Sequence, residues 1–305
     1  MALLSLILPV FALIAIGLVA RRSKLLEIST FRGLMDIVFF LSMPSLLFSS
    51  IVQGPPADLV GVASVYFVGC LTVFALGLLF GRILKFPLAR SAMLGLNSSY
   101  GNTVLMGVPI IVAALGQEAL PPLLAIVAFH SALMLPLAGL LVDMGNSGPQ
   151  RPLDIVKTTF ASTLKNPVIM SIFVAFAWRA LDLPYPAPLK ELLRLLGGSA
   201  VPMALICLGG SLPPLSAKGL GAETIISAVL KLVVLPALVW SVGRWAQLPV
   251  LPLTVAILTA GMPTGANAFL LARRSESLME ISAATVLVTT TLSLVTMYLL
   301  LTWLT

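Results

Sequence analysis

Apolar windows about twenty residues long alternate along the chain with short clusters of charge, glycine and proline. Read as helices bounded by those clusters, the windows cover residues 3–20, 33–53, 58–81, 88–114, 119–142, 166–182, 189–211, 219–245, 250–272 and 280–304. The longest polar stretch, Asp143 to Thr163, contains Gly145, Asn146, Ser147, Gly148, Pro149 and Pro152 and falls at mid-chain. It predicts a linker over 143–164 between a first half, 1–142, and a second, 165–305.

The halves carry the same landmarks. Pro9 and Pro167, Pro44 and Pro202, and Pro55-Pro56 and Pro213-Pro214 are each 158 residues apart. Gly81-Arg82 and Gly243-Arg244, and Pro87 and Pro249, are 162 apart, so a four-residue insertion separates two aligned blocks. Five spans per repeat is an odd number, so the second repeat enters the membrane from the opposite side to the first. The predicted fold is therefore all-α: ten transmembrane helices in two inverted five-helix repeats, with a binding site near the membrane midplane.

Composition points the same way. Of 305 residues, 59% are hydrophobic and 10% charged, and the mean hydropathy is +1.09. Soluble domains carry about 25% charge, so most of this exterior must face lipid, and ten spans leave no room for a sizeable extramembrane domain. The net charge of +7 is scattered in twos and threes between apolar runs and lines no face for nucleic acid. Its distribution instead sets orientation. Arg21, Arg22, Lys24 and Arg32, then Arg82, Lys85 and Arg90, then Arg151, Lys157 and Lys165, with Lys218, Arg273 and Arg274, all fall on one side. The other side holds Arg179, Lys190, Arg194 and Arg244. The positive-inside rule then places both termini outside the cytoplasmic membrane. The basic cluster comes after the first apolar run, the reverse of a secretory leader, so that run reads as a first span. Cys70 and Cys207 lie deep in apolar runs and read as core.

Two predicted spans are interrupted. Span four contains Asn97, Ser98, Ser99, Tyr100, Gly101, Asn102 and Thr103 before Gly107 and Pro109; span nine contains Pro263, Thr264, Gly265 and Asn267. At the 162-residue spacing Gly101 falls on Pro263 and Asn102 on Thr264. Proline and glycine let a helix stop and restart, and unwound backbone is tolerated in a membrane where it lines a cavity or is buried in protein. Half-helices starting near Asn102 and Thr264 would aim free N–H groups and positive dipole ends at an anion. The candidate substrate residues are accordingly Asn97, Ser98, Gly101, Asn102, Thr103, Pro263, Thr264, Gly265 and Asn267. The alternative role for the same residues is hydrogen-bonding glue between helices.

Pro44 and Pro202 are repeat-related and read as hinges facing the pathway or as plain kinks. Lys231 lies too deep in span eight to snorkel and needs a cavity or polar partner. His130, the sole histidine, suits either packing or proton coupling. No carboxylate occupies the middle of a span. That argues against a carboxylate proton relay, and a sodium site would have to use carbonyls with Asn, Ser or Thr. No cofactor or metal site is expected, and coupling to sodium or protons stays open.

Tyr100-Gly-Asn-Thr-Val-Leu-Met-Gly-Val-Pro109, Lys165-Asn-Pro-Val168, Pro202-Met-Ala-Leu with Gly209-Gly-Ser-Leu212, and Met262-Pro-Thr-Gly-Ala-Asn-Ala-Phe269 resemble bacterial members of the auxin efflux carrier family. The resemblance covers the whole chain. It implies relatives that move small carboxylates: plant carriers export auxin, and bacterial members are assigned to malate or malonate. It also implies a crossover of helices four and nine as the site, with Gly101, Asn102, Pro263 and Asn267 in it. Spans three to five and eight to ten would form a moving domain beside a scaffold of spans one, two, six and seven, and homodimers occur among relatives. The plant carriers place Asn-Pro-Asn in helix four where this chain has Gly101 before Asn102, so auxin recognition does not transfer, and their long central loop is absent. The functional expectation is a secondary transporter of a small organic anion such as malonate or malate, working by alternating access as an elevator or rocking carrier. The alternative is a transporter-like sensor acting through a partner protein. An enzyme is not expected: Gly145-Asn-Ser-Gly148 superficially resembles an intramembrane protease motif, but Pro149 and Pro152 put it in a polar linker.

Overall fold

A helix in a membrane satisfies its own backbone, so apolar runs of this length have few alternatives. A computed structural model describes residues 2–54, 59–146, 166–211, 221–265, 268, 271–272 and 276–304. Among these the chain is helical, with no β-strand. The helices are α1 (Ala2–Arg22), α2 (Ile28–Gln53), α3 (Leu59–Ile83), α4 (Leu88–Ser99), α5 (Thr103–Leu115), α6 (Leu120–Asn146), α7 (Pro167–Ala180), α8 (Ala187–Ser211), α9 (Ala222–Trp245), α10 (Val250–Ala260) and α11 (Glu276–Leu304). Six segments are long and apolar enough to cross a membrane: Ile28–Gln53, Val60–Ile83, Gln117–Gly145, Ala187–Ser211, Ala222–Trp245 and Leu278–Leu304. Thr103–Leu115, Pro167–Ala180 and Val250–Ala260 are shorter apolar helices. Large apolar side chains stay exposed on them, Val60, Ile225, Val233 and Trp303 among them, as lipid contact requires.

Three boundaries move, the last helix beginning at Glu276, four residues before the expected 280. The second span begins at Ile28, which takes Arg32 into the helix, and α6 runs to Asn146, four residues into the predicted linker. The rest of that linker lies outside the described residues, as do Pro55, Pro56, Pro213 and Pro214 of the repeat.

The residues group into two units. One comprises Met1–Leu59, Val104–Ala128 and Leu164–Pro213; the other comprises Val60–Thr103, Phe129–Thr163 and Pro214–Thr305. The second unit holds span three, the first half of span four, the latter part of α6 and everything from α9 onward. This differs from the expected division, because residues 104–128 group with spans one, two, six and seven.

In the first unit, α1 and α8 cross at glycines. A methyl group on Gly17 would stand 2.0 Å from the Ile206 carbonyl oxygen, and one on Gly209 would stand 1.9 Å from that of Ile14. Gly210 accommodates the Phe31 ring, and Gly197 lies against the Leu46 backbone. Ser42 and Ser199 share a hydrogen bond of 2.8 Å between α2 and α8, so Pro44 and Pro202 flank a packed polar contact.

Prolines widen the turns before them. The π-turns Val38–Ser42, Thr103–Gly107 and Leu230–Val234 each end two residues before a proline: Pro44, Pro109 and Pro236. Proline cannot donate to the preceding turn and crowds its carbonyl, and an i→i−5 turn relieves both.

Four helices end in a left-handed residue that is not glycine: Lys24, Lys85, Asp182 and Gln247. At three of them the next N–H reaches back five residues, as in Phe86 to Gly81, Leu183 to Trp178 and Leu248 to Gly243. Asp182 lies 158 residues after Lys24 and Gln247 lies 162 after Lys85, the same offsets as the prolines.

Candidate functional site

Helix α4 begins behind Pro87 and stops at Ser99; α10 begins behind Pro249 and stops at Ala260. Beyond both stops the backbone runs briefly extended, and within the second unit these two segments pair. Gly101 and Thr264 form an antiparallel bridge. Asn102 N–H donates to the Pro263 carbonyl at 2.8 Å, and Gly265 N–H to the Tyr100 carbonyl at 3.0 Å. Each break thereby supplies the partners the other lacks, the requirement for unwound backbone in a membrane interior.

The glycines are there for closeness. A methyl group on Gly265 would lie 2.6 Å from the Tyr100 ring and 2.9 Å from the Gly101 carbonyl oxygen. Gly101 N–H donates to His130 Nε2 at 3.0 Å, and the His130 ring stacks on Tyr100 with centroids 4.6 Å apart and planes within 7°. Accepting at Nε2 places the imidazole proton on Nδ1, which has no partner among the described groups. Tyr100 is held further by a 2.7 Å bond between its hydroxyl and that of Ser131. His130 is thus a brace of the crossing.

On the other flank, Thr264 N–H donates to Thr289 Oγ1 at 3.1 Å and Thr264 Oγ1 donates to the Asn97 carbonyl at 2.7 Å. Asn97 Oδ1 accepts from Ser282 at 2.9 Å, while its amide nitrogen is buried without a partner among the described groups. Lys231 is fully buried in the π-turn of α9, and its ammonium donates to the Ala260 carbonyl at 2.6 Å. A methyl group on Gly101 would stand 3.3 Å from Lys231 Nζ. Nearer the end of the same unit, Arg90 grips Glu223 through both carboxylate oxygens, Nη2 to Oε2 being 2.9 Å, and lies over the Phe86 ring.

The structure therefore brings together Asn97, Gly101, Asn102, Pro263, Thr264 and Gly265, and adds His130 and Lys231. Thr103 comes next as the first residue of α5 and is buried. Ser98 is not brought in by its side chain, whose hydroxyl turns back to the Leu94 carbonyl. Asn267 lies outside the described residues. Of the donors expected near the breaks, Asn102 and Gly265 N–H are taken by the opposite unwound segment, Gly101 N–H by His130 and Thr264 N–H by Thr289. Pro44 and Pro202 belong to the other unit. Sequence reasoning missed Tyr100 as a stacking platform, and Ser282 and Thr289 as partners of the break. Ser282, Thr285, Thr289 and Ser293 recur at spacings of three and four, one face of α11, and all are buried. That hydroxyl stripe was the available signal.

The profile of the family described as "Membrane transport protein" matches residues 2–301. A protein of Rhizobium meliloti named "Putative malonate transporter" is 29% identical over 306 residues, 95% of this chain and 92% of the relative. An uncharacterized transporter of Methanocaldococcus jannaschii is 25% identical over 300 residues, 94% of each chain. A lysosomal cholesterol signaling protein of Mus musculus is 26% identical over 255 residues, 76% of this chain and 29% of that protein.

Proposed function

We propose, from the premise that the chain belongs to the membrane transport protein family, the auxin efflux carrier family of its motifs, that it is a secondary carrier of a small organic anion. The single observation that carries this reading is the hydrogen-bonded crossing of two broken helices at Gly101 and Thr264. Its polar backbone is buried where an ordinary span needs none, and a fold pays that cost where a solute is to be held. Malonate or malate is the substrate class, on the name of the Rhizobium relative and the near-complete overlap with it. Asn102, Thr103 and Asn267 are the proposed contacts for the carboxylate.

The crossing sits between two inverted five-helix repeats in this reading. It is supported by the recurrence of prolines and of left-handed caps at 158 and 162 residues, and by α4 and α10 beginning 162 residues apart. Ten spans put both termini on one side of the membrane, the basic loops make that side the outside, and relative displacement of the two units alternates access. A membrane potential is worth about 2.3 kcal/mol per charge per 100 mV. In a cell negative inside, export of a dianion is then driven without a coupled ion, whereas uptake has to be coupled.

The test is uptake of labelled malonate and malate into proteoliposomes under imposed voltage and ion gradients, with Asn102→Ala alongside. Saturable transport that falls at least about tenfold in the variant is expected, the loss of one or two hydrogen bonds to a charged group. Transport of neither acid by the wild type rejects the substrate class, and equal transport by Asn102→Ala removes that residue from the site.

A further inference from the structure

We propose that Lys231 is the resident cation of the crossing: its ammonium balances the negative ends of α4 and α10, so that the carrier holds no sodium ion there. The proposal rests on the reading of the chain as a carrier and names its ion requirement.

A helix C-terminus carries roughly half a negative charge on its last carbonyls. Two such ends, at Ser99 and Ala260, meet inside one unit of this protein. Together they amount to about one negative charge, of which the α5 N-terminus at Thr103 offsets a part; the rest needs a positive partner when water is excluded. Lys231 is that partner by position. It is wholly buried, donates directly to Ala260, the last residue of α10, and lies against Gly101, two residues beyond the end of α4. No acidic side chain competes for it: Glu223, the one buried acidic residue among those described, is bound to Arg90. At the α4 end the Ser99 carbonyl accepts from the Cys70 thiol, a weak donor, at 3.6 Å.

Among the described residues, four carbonyl oxygens at the crossing already accept a hydrogen bond. Ala260 accepts from Lys231, Tyr100 from Gly265, Pro263 from Asn102, and Asn97 from Thr264. A sodium ion among them would have to displace these donors and sit beside a fixed ammonium. The charge carried through the membrane per cycle is then the substrate's own.

The experiment is thermal unfolding of the purified full chain in sodium, potassium and choline chloride at equal ionic strength, for the wild type, Lys231→Arg and Lys231→Gln. An ion bound to the folded state raises the midpoint with its concentration. The wild-type midpoints are expected to agree among the three salts within about 1 °C, and Lys231→Gln to melt roughly 5 °C or more lower in choline, with Lys231→Arg recovering at least half the loss. A sodium-specific rise in the wild type, or a Lys231→Gln protein as stable as wild type in choline, overturns the proposal. If Lys231→Gln does not fold, the wild-type salt series still decides. Malonate transport measured alongside separates the two readings: failure to transport in every salt rejects the substrate class, whereas transport that requires a sodium gradient rejects the role of Lys231.

Discussion

At the scale of single residues, what distinguishes this crossing is the absence of side-chain volume where two backbones touch. Gly265 has ordinary geometry, so its requirement is closeness to Tyr100 and Gly101 and not conformational freedom. Gly265→Ala must push either an aromatic ring already fixed by His130 and Ser131 or a carbonyl in the bridge. Overpacking of that kind costs about 1–3 kcal/mol. The expected outcome is a lowered unfolding midpoint and loss of malonate transport, while Gly33→Ala, where a methyl group meets nothing within 4 Å, leaves both unchanged. Unaltered transport by Gly265→Ala would mean the crossing tolerates separation and is not the functional geometry. That Asn97, Thr264 and Gly101 lie at the breaks was legible from residue type and position. The roles of Tyr100 and Thr289 were not, since an aromatic and a threonine inside apolar helices look like core until their partners are known.

Among elements, the same sequence motifs turn out to serve different physics. Asn166 in the Lys165-Asn-Pro-Val168 motif caps α7, its Oδ1 accepting from Val168 and Ile169 at 3.0 and 3.4 Å with Pro167 at the first turn. Gly209-Gly210 in the second-half motif is a packing device, letting α8 touch the α1 backbone and the Phe31 ring. Helix boundaries were readable from proline and charge, whereas the left-handed caps at Lys24, Lys85, Asp182 and Gln247 were invisible because glycine, their usual marker, is missing. The π-turns were equally hidden; only the prolines that cause them show in the sequence. Close crossings predict a position-dependent response to one methyl group. Gly209→Ala places that group 1.9 Å from a main-chain oxygen, which cannot rotate aside, so α1 and α8 must part. Its unfolding midpoint should fall by several degrees, for roughly 2 kcal/mol of strain or more, with Gly198→Ala, open around its methyl group, as the neutral control in the same helix. Equal midpoints for the two variants would refute the close crossing.

For the whole molecule, the proposed orientation rests on the excess of Lys and Arg and the proposed internal repeat on the two recurrence offsets, and these make separable claims. In the proposed orientation the basic loops mark the cytoplasmic side, with Arg21, Arg22 and Lys24 after α1 and Arg82 and Lys85 after α3 on the same side as the mid-chain polar stretch. The repeat, in contrast, fixes relative placement alone. If residues 165–305 hold five spans, the mid-chain stretch and the C-terminus must lie on opposite sides whichever way the protein is inserted. Green fluorescent protein matures in the cytoplasm and alkaline phosphatase only outside it, so fusions of each after position 150 and after Thr305 measure both claims. Fluorescence from the mid-chain fusion and phosphatase activity from the C-terminal one are expected. Reversal of both signals would overturn the orientation and keep the inversion. The same signal from both positions would leave an even number of crossings between them, and then the inverted repeat itself fails, however well the prolines and caps align.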